Sequence, residues 1–162
     1  MALSNLGIFH TAIGIIAIVA AVKEFISNGK IDLGNRAGKI YLYFTIVSSL
    51  TALGLSSVHG VNPGHILALL IVVLVLVAWF LYIKRPGFNR SRYFETFFLS
   101  FSFFLSMIPT INETLTRVPL RHPLATGPTD PLIAKTLLAL LIVFVIGSVL
   151  QFRKQRKINR LL

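Results

Sequence analysis

Five long runs of apolar residues, separated by short polar segments, dominate the hydrophobicity pattern of this chain. A helix needs about 20 predominantly apolar residues to cross the hydrocarbon core of a bilayer. The third and fifth runs contain long stretches without any charged residue. The pattern predicts an all-α integral membrane protein with a single transmembrane domain over residues 1–162 and five spans: Leu6–Phe25, Ile40–Val58, His65–Ile83, Tyr93–Ile111 and Pro131–Phe152.

The composition also favours a lipid environment. Hydrophobic residues make up 55% of the chain and charged residues only 13%, whereas about a quarter of a soluble domain is charged. The absence of cysteine excludes disulfides, thiolate metal sites and covalent haem attachment. The first span has neither a basic segment before it nor a small-residue cleavage site ahead of Lys23, so we expect it to be retained and not removed as a signal peptide.

Basic residues are concentrated at alternate ends of the predicted spans. Thirteen of the 16 Lys and Arg residues lie in or beside the first loop, in the third loop or in the tail, and the other three are Arg117, Arg121 and Lys135. Because cytoplasmic loops carry an excess of Lys and Arg, this bias predicts an outer N-terminus and an inner C-terminus. The same loops account for the net charge of +11, which argues against nucleic acid as a partner.

Local signals predict how two helices begin and end. Asn62-Pro63 is typical of an N-cap followed by proline at the first helical position. Glu113 and Arg117 have the i,i+4 spacing of a helical ion pair, which predicts that the fourth helix continues beyond the membrane. The proline-rich connection 112–130 is predicted to be irregular, either as a lid or as a solvated connector, and the sequence leaves both open.

A set of short motifs surrounds the first loop: Phe9-His10 with Gly14, then Asn28-Gly29-Lys30, then Asn35-Arg36-Ala37-Gly38-Lys39-Ile40-Tyr41. Together with the later Arg117-Val118-Pro119, these motifs resemble the bacterial membrane-protein family catalogued as domain of unknown function 2306. Members often have a histidine in the first loop, where this chain has Gly34. The resemblance implies a multi-pass protein, expected in the bacterial inner (cytoplasmic) membrane, and draws attention to His10. It implies no activity.

All four histidines are predicted to lie on the outer side. His10 lies within the first span, His59 and His65 flank the second connection, and His122 lies in the long loop. Ionisable residues inside a span are costly and are often functional, and neutral imidazole binds both metals and haem iron. We therefore expect a haem b or transition-metal site, zinc or copper, with His10, His59 and His65 as ligands. His122 is the weaker candidate, because a loop histidine beside Arg121 is typically solvated.

Small residues share a helix face with two of these histidines. Gly14, Ala17 and Ala21 follow His10 at helical spacing, and the second helix has a similar face formed by Thr45, Ser49, Ala52, Ser56 and His59. Small faces allow membrane helices to pack closely. They also leave room for a flat cofactor, so the sequence supports both interpretations.

Three functions agree with these patterns. The favoured hypothesis is a membrane-embedded redox or metallocofactor protein with a histidine site at the outer face. The alternative is a non-catalytic scaffold or assembly subunit whose small-residue faces bind partner helices, in a homo-oligomer or with another membrane protein. A small-molecule transporter is third, because no inverted repeat or interrupted helix pair is visible. The sequence does not indicate whether the protein is an enzyme, and it identifies no catalytic residue.

Overall fold

The computed structural model describes residues 4–55, 62–84, 89–118 and 122–159. Within these ranges the chain forms five α-helices and no β-strand. They are α1 (Asn5–Asn28), α2 (Arg36–Gly54), α3 (Pro63–Ile83), α4 (Asn89–Arg117) and α5 (Pro131–Asn159). The all-α class predicted from the sequence is confirmed.

Several helices continue beyond the ends predicted from hydrophobicity. α4 begins at Asn89 and continues to Arg117, and α5 continues past Phe152 to Asn159. An apolar run locates only the part of a helix that lies in lipid, whereas the polar ends continue into the interface. The guanidinium of Arg117 pairs with Glu113 at 2.6 Å, as the spacing predicted. α2 begins and ends earlier than its predicted span, Ile40–Val58, because it begins at Arg36 and ends at Gly54. Residues 56–58 of that span lie outside the described residues.

Each helix packs against its neighbours in sequence: α1 against α2, α2 against α3, α3 against α4, and α4 against α5. α4 also contacts more distant helices. Phe103 of α4 meets Phe25 of α1 edge-to-face, with ring centres 5.2 Å apart. Ser102, one residue earlier, hydrogen bonds to the Tyr41 hydroxyl of α2 at 2.7 Å. α4 is therefore the helix around which the others are arranged, and its Leu99 is fully buried.

Four of the helices, α1, α3, α4 and α5, are long and apolar enough to cross a membrane. α2 is not among them, because it carries Arg36 and Lys39 in its first turns and several hydroxyl side chains further along. Four such helices in one chain indicate a multi-pass membrane protein.

Contacts between distant segments identify the two ends of the bundle. Gln151 and Lys154 of α5 donate to the carbonyl oxygens of Gly29 and Asn28, so the end of α5 lies beside the end of α1. We call this end, which also holds the start of α2, the basic end. At the opposite end, His10 of α1 contacts Thr51 of α2. We call that one the histidine end.

Candidate functional site

His10 lies on the face of α1 that packs against α2, near the histidine end. Its Nδ1 is 3.0 Å from the carbonyl oxygen of Ser48 and 3.1 Å from the hydroxyl oxygen of Thr51. Thr51 donates its own proton to the same Ser48 carbonyl at 2.8 Å. Because a carbonyl oxygen only accepts, Nδ1 of His10 must be the protonated nitrogen. Nε2 of the neutral ring then holds the lone pair, which is the arrangement found in metal-bound histidines.

His65 has the opposite arrangement, because it belongs to the N-cap of α3. The Asn62 side chain accepts from the backbone N–H of His65 at 3.1 Å, and the backbone N–H of Asn62 points at Nδ1 of His65 at 3.4 Å. Nδ1 therefore holds the lone pair and Nε2 carries the proton. Nε2 is buried, with no hydrogen-bond partner within the described part of the chain. To bind a metal through Nε2, His65 would have to give up its capping bond, so it fits the ligand role less well than His10.

Of the three predicted ligands, the structure describes His10 and His65. His59 lies outside the described residues, and His122 is exposed in the loop before α5. Among residues 4–55, 62–84, 89–118 and 122–159, no group of three or more His, Asp or Glu side chains is arranged to hold a metal ion. His10 instead contacts α2, and His65 takes part in the N-terminal cap of α3.

The described residues of the small-residue faces lie where α1 packs against α2. Ala17 and Ala21 of α1 are buried, as are Thr45 and Ser49 of α2. A side chain added at Gly14 would meet the Ser48 hydroxyl at 3.4 Å, so the backbone there lies close to α2. Close packing, one of the two interpretations of these faces, accounts for the residues that the structure describes.

Sequence reasoning missed a polar cluster at the basic end, centred on Glu24. This side chain is 3% exposed. One of its carboxylate oxygens, Oε2, accepts from the side-chain amide of Asn28 at 2.9 Å, the backbone N–H of Asp32 at 3.1 Å and the side-chain amide of Asn35 at 3.2 Å. The carboxylate thus ties the end of α1 to the connection that leads into α2. The available signal was a carboxylate among apolar residues, followed after four and eleven positions by asparagines.

Two glycines of the same segment are required by its geometry. Gly29 ends α1 in the left-handed conformation, with φ of 73°, where its N–H donates to the Phe25 carbonyl. Gly38, in the first turn of α2, lies against the backbone of Asp32, and a Cβ at this position would collide with the Asp32 carbonyl oxygen. Residues that carried the family resemblance, among them Asn28, Gly29 and Gly38, therefore have structural roles in this turn.

α5 closes over the same turn from the other side. The Gln151 side chain donates to the Gly29 carbonyl at 3.0 Å and accepts from the Ser100 hydroxyl at 2.9 Å, so it bridges α1 and α4. The Lys154 ammonium donates to the Asn28 carbonyl at 2.9 Å. Together these contacts satisfy carbonyls that the left-handed turn leaves free at the end of α1.

No protein-family model, curated protein or solved structure matches the chain significantly. The resemblance to domain of unknown function 2306 therefore stays a prediction. The fold defines the class on its own: an all-α, multi-pass membrane protein.

Proposed function

We propose that the chain crosses the membrane five times, with its N-terminus outside and its C-terminus inside. The distribution of residues on α2 supports a fifth span. Its buried side chains include the polar Tyr41, Thr45 and Ser49, and its exposed side chains include the large apolar Ile40, Val47 and Leu50. Polar groups directed inward and apolar groups directed outward are expected of a helix surrounded by lipid. The basic residues gathered at one end support the orientation.

Within that topology, we propose that the protein is a non-catalytic subunit that binds a partner transmembrane helix along α5. One observation carries this proposal. Only 6% of the residues in the most apolar stretch of α5 are buried, compared with 22% in α1 and α3 and 33% in α4. α4 holds one face of α5, where Phe97, Phe101 and Phe104 pack around Phe144. The remaining apolar faces of α5 are exposed.

Gly147 supports a helix as the occupant of this surface. A Cβ added at Gly147 would meet nothing within 4 Å, and the nearby Val143, Ile146 and Leu150 are exposed. Lipid tails are as apolar as these side chains, so hydrophobicity alone does not drive association. A glycine on such a face leaves room for the backbone of a second helix to approach closely, and contact with lipid requires no such room.

Site-directed cross-linking tests this proposal, because the chain contains no cysteine. Gly147→Cys should give cross-linked products with a short bis-maleimide, either between copies in liposomes containing only the purified protein or with another chain in native membranes. Val73→Cys, on the exposed surface of α3, is the matched control and should give none. No product at position 147 in either preparation, or equal products from both cysteines, would overturn the proposal.

The orientation of the His10 ring favours a second candidate, the haem or metal site expected from the sequence. Its Nδ1–H is fixed by the Ser48 carbonyl, which leaves Nε2 as the ring nitrogen with the lone pair. Detergent-purified protein should then have a Soret band or bound metal by elemental analysis, and His10→Ala should lose it. If neither is found in the unmodified protein, this candidate is eliminated and the helix-binding proposal is unaffected.

A further inference from the structure

A groove of about 300 Å³ lies at the basic end between the start of α4 and the end of α5. It is lined by Tyr93, Val149, Phe152, Arg153 and Arg156. None of these residues belongs to the Glu24 cluster, to the histidines or to the exposed surface formed by Val143, Ile146, Gly147 and Leu150. Its lining combines an apolar or aromatic wall, formed by Tyr93, Val149 and Phe152, with two arginines.

The apolar wall is continuous with the lipid-facing surface of α5. The rings of Tyr93 and Phe152 meet edge-to-face with centres 5.8 Å apart, which fixes the side of the groove formed by α4. Val149 and Phe152 are both exposed. A hydrocarbon chain can therefore lie along these side chains without leaving the apolar surface of the span.

The two arginines lie at the end of the groove where α5 leaves its apolar stretch. They are three positions apart, so they share a helix face. Both side chains are exposed, and neither is paired with a carboxylate within the part of the chain that the structure describes. Lys154, which lies between them in sequence, is directed instead at the Asn28 carbonyl. The groove thus has positive charge at one end and apolar surface along its length.

We propose that this groove binds one anionic phospholipid, with its phosphate between Arg153 and Arg156 and an acyl chain along Val149 and Phe152. Planar guanidinium groups bind phosphate oxygens through paired, charge-assisted hydrogen bonds. Basic pockets at the ends of membrane helices bind anionic headgroups for this reason. The proposal requires only that α4 and α5 span the membrane, and it is independent of the partner-helix function.

Native mass spectrometry of the whole purified chain tests the proposal, with phosphatidylglycerol and phosphatidylcholine titrated separately. The unmodified protein should retain one phosphatidylglycerol in preference to phosphatidylcholine. Since each basic residue near a headgroup contributes on the order of a fivefold gain in affinity, Arg153→Gln with Arg156→Gln should weaken phosphatidylglycerol binding about 30-fold. Binding of phosphatidylcholine should be unchanged.

Lys157→Gln is the matched control, because it removes a positive charge from the same helix end without touching the groove. It should leave phosphatidylglycerol binding within about twofold, as expected for a charge that makes no direct contact. Inorganic phosphate alone should not displace the lipid, since it lacks an acyl chain. An equal loss with Lys157→Gln, equal retention of the two lipids, displacement by phosphate, or full binding by the double glutamine variant would each overturn the proposal. Because the arginines are exposed, an unchanged apparent Tm verifies that the variants remain folded.

Discussion

The carboxylate of Glu24 accepts a hydrogen bond from the backbone N–H of Asp32 across the first turn of the chain, at 3.1 Å. Two asparagine side chains donate to the same oxygen. The first hairpin of the bundle is thus held by a buried charge that lies one helical turn before the end of α1. The peptide N–H and the two side-chain amides supply hydrogen bonds to the carboxylate that lipid could not supply.

Glu24→Ala should therefore destabilise the bundle. It leaves three donors without their acceptor, and a buried group that loses its partner costs about 1–3 kcal/mol. The apparent Tm in detergent should fall, whereas Lys23→Gln, at the exposed neighbouring position, should leave it unchanged. Equal Tm values for Glu24→Ala and the unmodified protein would contradict the role assigned to this carboxylate.

Gly38→Ala should be at least as damaging. The added methyl would collide with the Asp32 carbonyl, which is itself held by the N–H of Asn35, so neither backbone can move without losing a hydrogen bond. We expect a loss of about 3 kcal/mol, the upper end for overpacking, measured as a lower apparent Tm and a smaller monodisperse fraction on size exclusion. Gly127→Ala, where an added methyl meets nothing, is the control. Equal apparent Tm values for Gly38→Ala and Gly127→Ala would contradict the close approach of Gly38 to the Asp32 backbone.

The sequence predicted the five helices that the structure describes because the apolar runs are clearly separated by polar segments. It also predicted local contacts such as Arg117–Glu113 and the Asn62 cap, which depend only on spacing within a few residues. The Glu24 cluster was not predicted, since its donors come from a connection whose path depends on the left-handed Gly29. Hydropathy treats a carboxylate near the end of a span as solvated, and only tertiary contacts reveal that it is buried.

The histidines illustrate a different limit. The sequence predicted that the histidines share one side of the membrane, but the ring tautomers depend on distances such as the 3.0 Å from His10 to the Ser48 carbonyl. Two histidines that looked equivalent in the sequence thus have opposite nitrogens protonated. A capping role for His65 could have been suspected from Asn62, three positions earlier, but periodicity contains no signal for the bond made by His10.

The hydrogen bonds that Asp130 accepts at the start of α5 should be lost in acid. Its carboxylate accepts from the backbone N–H groups of Thr126 and Leu132, and these bonds hold its pKa below the usual value. A lowered pKa means that these hydrogen bonds stabilise the start of α5 above the ordinary pKa of an aspartate and are lost as the pH falls through the lowered pKa. The amide shifts of Thr126 and Leu132 should follow this titration in NMR.

Asp130→Asn should abolish that pH-dependent step. Glu113→Gln, which removes an exposed carboxylate on α4, should leave it intact. An unchanged step in the asparagine variant would show that another group titrates there.

The proposed orientation predicts which added cysteines an impermeant thiol reagent reaches. Gly127→Cys, in the loop before α5, should be labelled in intact cells. Asn89→Cys, at the start of α4, should be labelled only after the membrane is permeabilised. The background is low because the chain has no cysteine of its own. Labelling of position 89 from outside would reverse the orientation or change the number of spans.

The bridge from α5 to the end of α1 has a consequence for biogenesis. Gln151 and Lys154 lie 122 and 126 residues beyond the carbonyls to which they donate. A ribosome synthesises the acceptors before the donors. The turn between α1 and α2 is therefore synthesised while these hydrogen bonds are unmade, and only α5 completes them. Maturation of this turn is therefore coupled to the arrival of α5.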